Sequence, residues 1–340
     1  MMMTTAVYSI IIFGVLIFIH ELGHFVFAKL SGVSVMDFAL GFGPKLVSFQ
    51  KGETNYSLRV VPLGGFVRMR GEDPDEADEP GSFLKASPLQ RIGILAAGSI
   101  MNFVLAFILL SILHGMVGIP GEDPNQIGEI VEGGAAEEAG LQQGDEIVEI
   151  NDTEITEWEQ LVSIINENPG DELELTIIRD GEPLEVSVVP EEEPETGRGV
   201  IGVTNLQPAS FPQAIAHGFE QTVFFIQMLF VGLYQMITGQ VEPDVAGPVG
   251  IVHMVGEVAE TGFVNLFPFT AFLSINLGVL NLLPIPALDG SRIIFTVIEL
   301  VRGKPIDPNK ENFAHFIGFA FLLLLMFVIL YNDLLRLDVF

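Results

Sequence analysis

The sequence predicts an α-helical polytopic membrane protein of about four transmembrane helices, with a membrane-associated β-hairpin and an inserted extracytoplasmic α/β domain. Apolar residues make up 49% of the 340 residues, yet the formal net charge is -29. These two values are compatible only if the charge is segregated along the chain. Residues 121–217 contain 24 acidic and two basic residues, which predicts a soluble acidic domain between hydrophobic blocks.

Four apolar runs are long enough to cross the roughly 30 Å hydrocarbon core of a bilayer. They lie at 6–28, 92–119, 264–288 and 313–331. A fifth run, 219–238, carries its Glu and Gln side chains on about one third of a helical circumference. This polar stripe predicts an amphipathic helix at the membrane interface rather than a fifth span.

The basic residues predict the orientation of these spans. Of the 15 Lys and Arg, eight lie from Lys29 to Arg91 and four from Arg292 to Lys310. Because cytoplasmic loops are enriched in basic residues, both regions are predicted to be cytoplasmic. Both termini and the acidic domain are then extracytoplasmic, in a plasma (inner) membrane. The sequence has no cysteine, which excludes disulfide bonds and thiolate chemistry.

The first apolar run contains the motif His20-Glu21-Leu22-Gly23-His24. Two His four residues apart share one helix face and can bind one metal ion, and the adjacent Glu can act as a general base. Ionisable side chains inside a membrane are costly and usually functional. His20 lies roughly 21 Å along a helix from residue 6, within the membrane towards its cytoplasmic side. A cleavable signal peptide is not expected, because cleavage would remove the motif.

A third metal ligand is expected from the segment 281–290, whose sequence is NLLPIPALDG. Its two prolines interrupt the helix, and unwound backbone at membrane depth is tolerated where it lines a cavity. Asp289 precedes the basic residue Arg292, near the same cytoplasmic edge as the two His. Asp289 is therefore predicted to bind the metal, with the alternative that it only caps the helix that follows.

An HExxH motif in a first span followed by NxxPxPxLDG in a later one resembles the site-2 protease family of intramembrane zinc metalloproteases, in particular its bacterial RseP/RasP branch. The segments 98–102 (GSIMN), 61–66 (VPLGGF) and 247–250 (GPVG) resemble further motifs of that family. The resemblance implies a Zn²⁺ cofactor bound by His20, His24 and Asp289, with Glu21 as the general base.

The resemblance also implies substrate contacts. Asn281 is expected to contact the substrate backbone, and Gly64 and Gly65 to lie beside the substrate on the hairpin. Asn102 is placed among the substrate contacts, with a helix-bridging role next to the small residue Gly98 as the alternative.

The cytoplasmic stretch after the first span divides into two parts. Residues 54–70 are predicted to form a hairpin whose exposed edge can add a substrate strand. The alternative is a re-entrant hairpin that only packs the core. Residues 71–81 (GEDPDEADEPG) are predicted to be a solvated linker.

The acidic stretch resembles a circularly permuted bacterial PDZ domain over residues 133–155. Its pattern predicts both strands and helices. The strands are expected at 127–132, 146–150, 173–179 and 184–189, and the helices at 135–139 and 158–166. Val200, Ile201 and Gly202 are then expected to receive a peptide C-terminus on backbone N–H groups. The alternative is a module that only excludes bulky substrates. There is room for one such module, where some relatives carry two.

The predicted division of the chain has four parts. Residues 1–120 hold the first two helices, residues 121–205 the PDZ-like domain, residues 206–262 an amphipathic interfacial segment, and residues 263–340 the last two helices.

The implied function is hydrolysis of peptide bonds within single-pass membrane proteins that another protease has already trimmed. The product is a freed fragment, such as that of an anti-sigma factor, or a cleared remnant signal peptide. The expected partners are these substrates and the lipid bilayer, and no nucleic acid. Two alternatives are a membrane zinc protease of another class, with a Glu as third ligand, and a non-catalytic membrane-anchored PDZ adaptor. The LDG motif argues against the first, and the complete set of predicted ligands against the second.

Overall fold

The structure, a computed structural model, describes residues 2–72, 76, 78–121, 123–194, 196–241, 246–304, 306 and 308–336. It divides into two compact units. The membrane unit comprises Met1–Leu110 and Gly218–Phe340, and the inserted module comprises Ser111–His217. Residues 73–75 and 77 of the predicted linker, and 242–245 of the predicted interfacial segment, lie outside the described residues.

The membrane unit begins with a long helix, a β-sheet and a second long helix. These are α1 (Met2–Leu30), β1 (Val35–Lys51), β2 (Thr54–Met69) and α2 (Pro88–Val117). A short 3₁₀ helix, Phe83–Lys85, precedes α2. Both α1 and α2 are apolar around most of their circumference, as expected of helices surrounded by lipid and other helices.

The β-sheet differs from the predicted hairpin. Residues 37–40 of β1 pair with both halves of β2, so that Asp37 lies opposite Arg68 and also opposite Asn55. The chain therefore reverses within β2, near Gly64, whose φ is +106°. The prediction that 54–70 pairs with itself is wrong, because β1 lies between its two arms. Among the described residues, the segment 65–69 is left as an edge strand.

The inserted module is a small α/β unit built around a four-stranded sheet of order β6-β5-β7-β8. Its elements, in chain order, are β3 (Ile119–Pro120), β4 (Glu129–Ile130), α3 (Ala135–Glu138), β5 (Glu146–Ile150), β6 (Thr153–Glu154), α4 (Trp158–Glu167), β7 (Leu173–Arg179), β8 (Glu182–Val188), β9 (Glu191–Glu192), β10 (Gly199–Val200), β11 (Val203–Thr204) and β12 (Leu206–Gln207). The β7–β8 turn uses Asp180 and Gly181, both at positive φ, as an Asp-Gly hairpin turn requires. Ile147, Leu161 and Ile177 are fully buried in its core.

Five helices complete the membrane unit. They are α5 (Phe211–Ile237), α6 (Pro248–Glu260), α7 (Leu266–Leu282), α8 (Asp289–Arg302) and α9 (Pro308–Arg336). Five helices of the described chain are long and apolar enough to cross a membrane, α5 among them with the lowest mean hydropathy, 1.3. Whether α5 crosses the membrane or lies at its surface stays a prediction. Helix α7 ends at Leu282, just before the prolines that predicted the interruption.

The last helix is tied to the start of α6 by a buried carboxylate. Asp333 accepts hydrogen bonds from the backbone N–H groups of Gly247 (3.0 Å) and Gly250 (2.8 Å). A Cβ atom on Gly247 would lie 2.6 Å from an oxygen of Asp333, so the close approach requires glycine. The GPVG segment therefore serves as a docking point for α9.

Candidate metal centre and active site

Three predicted ligands, distant in sequence, meet at one point. His20 and His24 project from one face of α1, and Asp289 is the first residue of α8. The His20 Nε2 and His24 Nε2 atoms are 3.2 Å apart. Each lies close to the same carboxylate oxygen, Oδ2 of Asp289, at 3.2 Å from His20 and 3.3 Å from His24.

This triangle fits a tetrahedral metal ion. Donor atoms about 2.0–2.1 Å from a tetrahedral zinc ion lie about 3.3–3.4 Å from one another. The buried Oδ2 of Asp289 has no hydrogen-bond partner among the described residues, and a buried polar atom normally has one. Two nitrogens and one oxygen also form the donor set of catalytic zinc sites, which leave a fourth position open. In the described chain, these residues form the only group of three or more metal-binding side chains.

Glu21 lies beside this triangle without being part of it. It lines a cavity of about 410 Å³ together with all three triangle residues. The rest of the wall comes from β2, α2, α7, α8 and the loops that follow β2 and precede α8; the remaining lining residues are Gly65, Phe66, Val67, Arg68, Met69, Glu72, Leu95, Asn281, Ala287 and Arg292. A carboxylate next to the open metal position can take a proton from water.

One face of α2 supports both imidazoles. The His24 Nδ1 atom lies 2.8 Å from the carbonyl oxygen of Ile94, to which it can donate. Four residues on, a Cβ atom at Gly98 would lie 2.4 Å from His24 Nε2 and 2.8 Å from His20 Cε1. Another four residues on, the amide of Asn102 lies 3.2 Å from His20 Nδ1. Gly98 thus provides the space for both rings.

The loop before Asp289 has an unusual backbone. Ala287 has a φ of +81°, a conformation that costs free energy for a residue with a Cβ atom. Its N–H group donates to Nδ1 of His315 on α9 at 3.0 Å. A Cβ atom at Gly290 would lie 2.2 Å from the carbonyl oxygen of Leu282. The end of α7 and the start of α8 therefore approach closely, which directs Asp289 towards the two His.

Two ion pairs hold α8 in place. Arg292 contacts Glu72, which follows β2, at 2.9 Å. The buried Arg91 of α2 contacts Glu299 at 2.6 Å. Helix α8 is thereby linked to both the sheet and α2, the elements on either side of the metal-binding triangle.

All five residues of the edge strand 65–69 line the cavity that also contains the triangle. Gly65 packs against Glu21, so that a Cβ atom there would lie 3.0 Å from Glu21 Cγ. Asn281 reaches the same cavity from α7 and donates to its own helix at Leu277 O. A peptide added to this strand would lie close to Glu21.

Two predicted substrate contacts do not reach this cavity. Asn102 is fully buried behind His20, so the prediction that it contacts substrate disagrees with its position. Gly64 is not among the residues that line the cavity. The space beside it is filled by Phe42, whose ring would lie 2.0 Å from a Cβ atom at Gly64.

Some supporting residues were not connected with the site by sequence reasoning. Gly98 was interpreted as part of a family-like motif and as a small residue between helices, and the sequence assigns no partner to His315. The carbonyl oxygen of Ile94 carries no sequence signal at all. The spacing Ile94, Gly98, Asn102 is itself a signal, since residues four apart share one helix face.

The inserted module contains a separate apolar groove of about 210 Å³ between α4 and the segment 199–203. Val200, Ile201 and Gly202 line it, opposite Trp158 and Val162. Ile201 is only 3% exposed and belongs to the module core. Val162 is 37% exposed, so it is a side chain on α4 that a bound peptide can contact.

The fold and the metal-binding triangle together define a membrane-embedded metallohydrolase. The chain belongs to peptidase family M50, whose family model matches residues 8–325. It is 38% identical to "Regulator of sigma-W protease RasP" of Bacillus subtilis (strain 168), with 99% of this chain and 100% of the relative covered. It is also 38% identical to "Zinc metalloprotease RasP" of Geobacillus kaustophilus, with 96% of each chain covered.

Among solved structures, part of the chain is similar to the PDZ domains of SdrC-like proteins. The match from Listeria monocytogenes covers 25% of this chain and 88% of that domain, at 18% identity and a TM-score of 0.23. The match from Listeria innocua covers 24% and 92%, at 20% identity and a TM-score of 0.22.

Proposed function

We propose that this M50 peptidase is a zinc-dependent intramembrane endopeptidase that cleaves single-pass membrane proteins within their transmembrane segments. The observation that carries the proposal is the triangle of His20 Nε2, His24 Nε2 and Asp289 Oδ2, with sides of 3.2–3.3 Å, at the base of a cavity bounded by an edge strand. The names of the relatives, which include zinc metalloproteases, support the same metal.

In this proposal His20, His24 and Asp289 hold the metal, and each residue around them has one task. Bound zinc supplies Lewis acidity, which makes water nucleophilic near neutral pH and polarises the scissile carbonyl. Glu21 removes the proton from the attacking water and delivers it to the leaving amine. The edge strand 65–69 binds the substrate as an extended strand, and Asn281 hydrogen-bonds its backbone.

The extended conformation matters because a peptide bond within a helix is shielded by its own hydrogen bonds. A transmembrane helix must unwind locally, and each unpaired backbone group in lipid costs several kcal/mol. Pairing with the strand 65–69 offsets that cost, since it supplies new backbone partners. The cavity therefore favours the one substrate conformation that can be cleaved.

The inserted module is proposed to select substrates outside the membrane. Its groove suits an extended peptide, and the N–H groups of Ile201 and Gly202 donate to no acceptor among the described residues. The proposed substrates, trimmed by another protease, carry a new C-terminus that these groups can receive. The name of one relative refers to regulation of sigma-W. A membrane-anchored anti-sigma factor is therefore a suitable first test substrate.

The test of the proposal is cleavage by the purified full chain. The Glu21→Gln variant is expected to retain zinc and lose cleavage of a single-pass substrate, while His20→Ala and Asp289→Ala lose both. The exposed Glu260→Gln variant, at the end of α6, is the matched control and should behave like the wild type. Near-normal turnover by Glu21→Gln would refute the role of Glu21, and absence of zinc from the wild type would refute the metal site.

A further inference from the structure

The pairing of His20 and Asn102 contains a mismatch that the rest of the site does not have. The amide nitrogen of Asn102, Nδ2, faces His20 Nδ1 at 3.2 Å. An amide NH₂ group only donates, so Nδ1 would have to accept and the ring proton would sit on Nε2. That proton would point into the triangle, where Nε2 must offer a lone pair to bind a metal.

The other half of the amide is mismatched as well. Asn102 is 0% exposed, and its carbonyl oxygen Oδ1 is buried with no partner among the described residues. An unpaired buried acceptor destabilises the fold. Turning the amide over resolves the mismatch at Nδ1 and gives the oxygen a partner, because the oxygen and the NH₂ group of an amide occupy nearly the same space. The NH₂ group then takes the position that the oxygen had. A half-turn about the last side-chain bond places Oδ1 against Nδ1.

We propose that Asn102 is a positioning residue whose amide oxygen accepts the Nδ1–H of His20 and thereby fixes the tautomer that presents Nε2 to the metal. This inference rests on the proposed zinc site. It gives the two ligands matching support, since the Nδ1 of His24 donates to the carbonyl oxygen of Ile94 in the same way. Metal-binding His residues usually have such an acceptor behind them, which fixes the ring orientation.

The backbone carbonyl of Asn102 is held by a residue of another helix. Ser274 on α7 donates its hydroxyl to the carbonyl oxygen of Asn102 at 2.8 Å. Ser274 is fully buried and does not contact the imidazole pair through any hydrogen bond. It therefore offers a control that disturbs the same turn of α2 without removing the acceptor from His20.

The experiment measures zinc affinity of the purified full chain by competition with a chromogenic chelator. Asn102→Leu removes the acceptor at similar size and is expected to weaken zinc binding by about 10–100-fold, the usual effect of losing such a partner. Asn102→Asp keeps an acceptor and removes the donor, so it should bind zinc at least as tightly as the wild type does. Asn102→Leu should not. Ser274→Ala should keep the affinity of the wild type.

Each outcome decides the question. Wild-type affinity in Asn102→Leu would overturn the proposal, and so would an Asn102→Asp variant as weak as Asn102→Leu, because it would show that Asn102 acts through its NH₂ group. Equal weakening by Ser274→Ala would show that packing of α2, and not the acceptor, is responsible. A wild-type chain that binds no zinc would instead refute the proposed function, which separates the two failures.

Discussion

Gly65 on the edge strand and Glu21 on α1 are in van der Waals contact, so that a Cβ atom on Gly65 would lie 3.0 Å from Glu21 Cγ. The same Cβ atom would also lie 3.0 Å from the carbonyl oxygen of Ala39 and from Ile17 Cγ2. The absence of a side chain at residue 65 therefore allows the edge strand to lie this close to the proposed general base, Glu21. A substrate strand paired with the edge strand would be held at a matching distance from Glu21.

Replacing Gly65 with Val should reduce turnover about 100-fold, the scale expected when reacting groups are displaced by about 1 Å. Zinc content should not change, because Gly65 contacts none of the three ligands. The matched control is Gly14→Val on α1, where a Cβ atom meets nothing within 4 Å. A Gly65→Val enzyme with full activity would show that Glu21 does not need this spacing.

The strained loop before Asp289 provides a second test. His315→Phe removes the acceptor for the Ala287 N–H group while keeping a ring of similar size. The loop should then relax and zinc affinity should fall by about tenfold, because a ligand is positioned less well. Ala287→Gly should leave zinc affinity intact and raise the thermal unfolding temperature, since glycine adopts positive φ without strain. Tighter zinc binding by His315→Phe would contradict this role.

Membrane topology can be mapped by cysteine labelling, because the natural chain contains no cysteine. Single cysteines at Glu76 and Lys304 should be protected from an impermeant thiol reagent in intact cells. Cysteines at Asp152 and Gln240 should both react if α5 lies at the membrane surface. Labelling at Asp152 but not at Gln240 would show that α5 crosses the membrane.

The turn between β1 and β2 should be sensitive to acid. A hydrogen bond from Lys29, and a second from Ser34, hold the pKa of Glu53 below its ordinary value. A lowered pKa in the folded state means that this contact stabilises the fold above the ordinary pKa of Glu, about 4.3, and that the gain is lost as pH falls through the lowered value. Wild type and Glu53→Gln should therefore differ in thermal unfolding temperature at pH 7 and converge at low pH. A difference that grows on acidification would contradict this sign.

The groove of the module can be tested at Val162, which is a better choice than the core residue Ile201. Val162→Asp should reduce cleavage of a trimmed substrate several-fold if the groove captures a new C-terminus. Val189→Asp, exposed and outside the groove, is the control. If the module only excludes bulky substrates, the Val162→Asp variant should cleave the trimmed substrate normally. Deletion of residues 122–204 should then allow untrimmed substrates to be cleaved.

The sequence predicted the triangle because each of its members belongs to a motif with a physical signature. HExxH places two donors on one helix face. The two prolines before Asp289 end helix α7, so that Asp289 stands at the start of a new helix. The sheet was harder to predict. The Val, Leu and Phe residues of 54–70, with Pro62 and Gly64-Gly65 at their centre, indicated a hairpin, but no local pattern indicates that 37–40 would lie between its two arms. Long-range pairing of this kind is decided by packing that a sequence window does not contain.

The supporting contacts were difficult for a related reason. The contact of His315 with Ala287 joins α9 to the loop between α7 and α8, and it depends on a backbone conformation that alanine rarely adopts. For Asn102 the sequence left open a substrate contact and a structural role near the site, since the motif shows proximity to the site but not which face of the His20 ring is approached. Only the structure shows that Asn102 faces the Nδ1 side of the His20 ring.

The distance in sequence between the two ends of the triangle has a consequence for biosynthesis. On the proposed ligand set, His20 and Asp289 are 269 residues apart. Chains elongate at roughly 5–20 residues per second, so on the order of 10–50 s pass between the synthesis of one ligand and that of the other. Throughout that time α1 carries two His and a Glu but lacks the third ligand. On this ligand set a chain that has not yet reached Asp289 cannot complete the metal site, so it cannot cleave the membrane proteins inserted beside it.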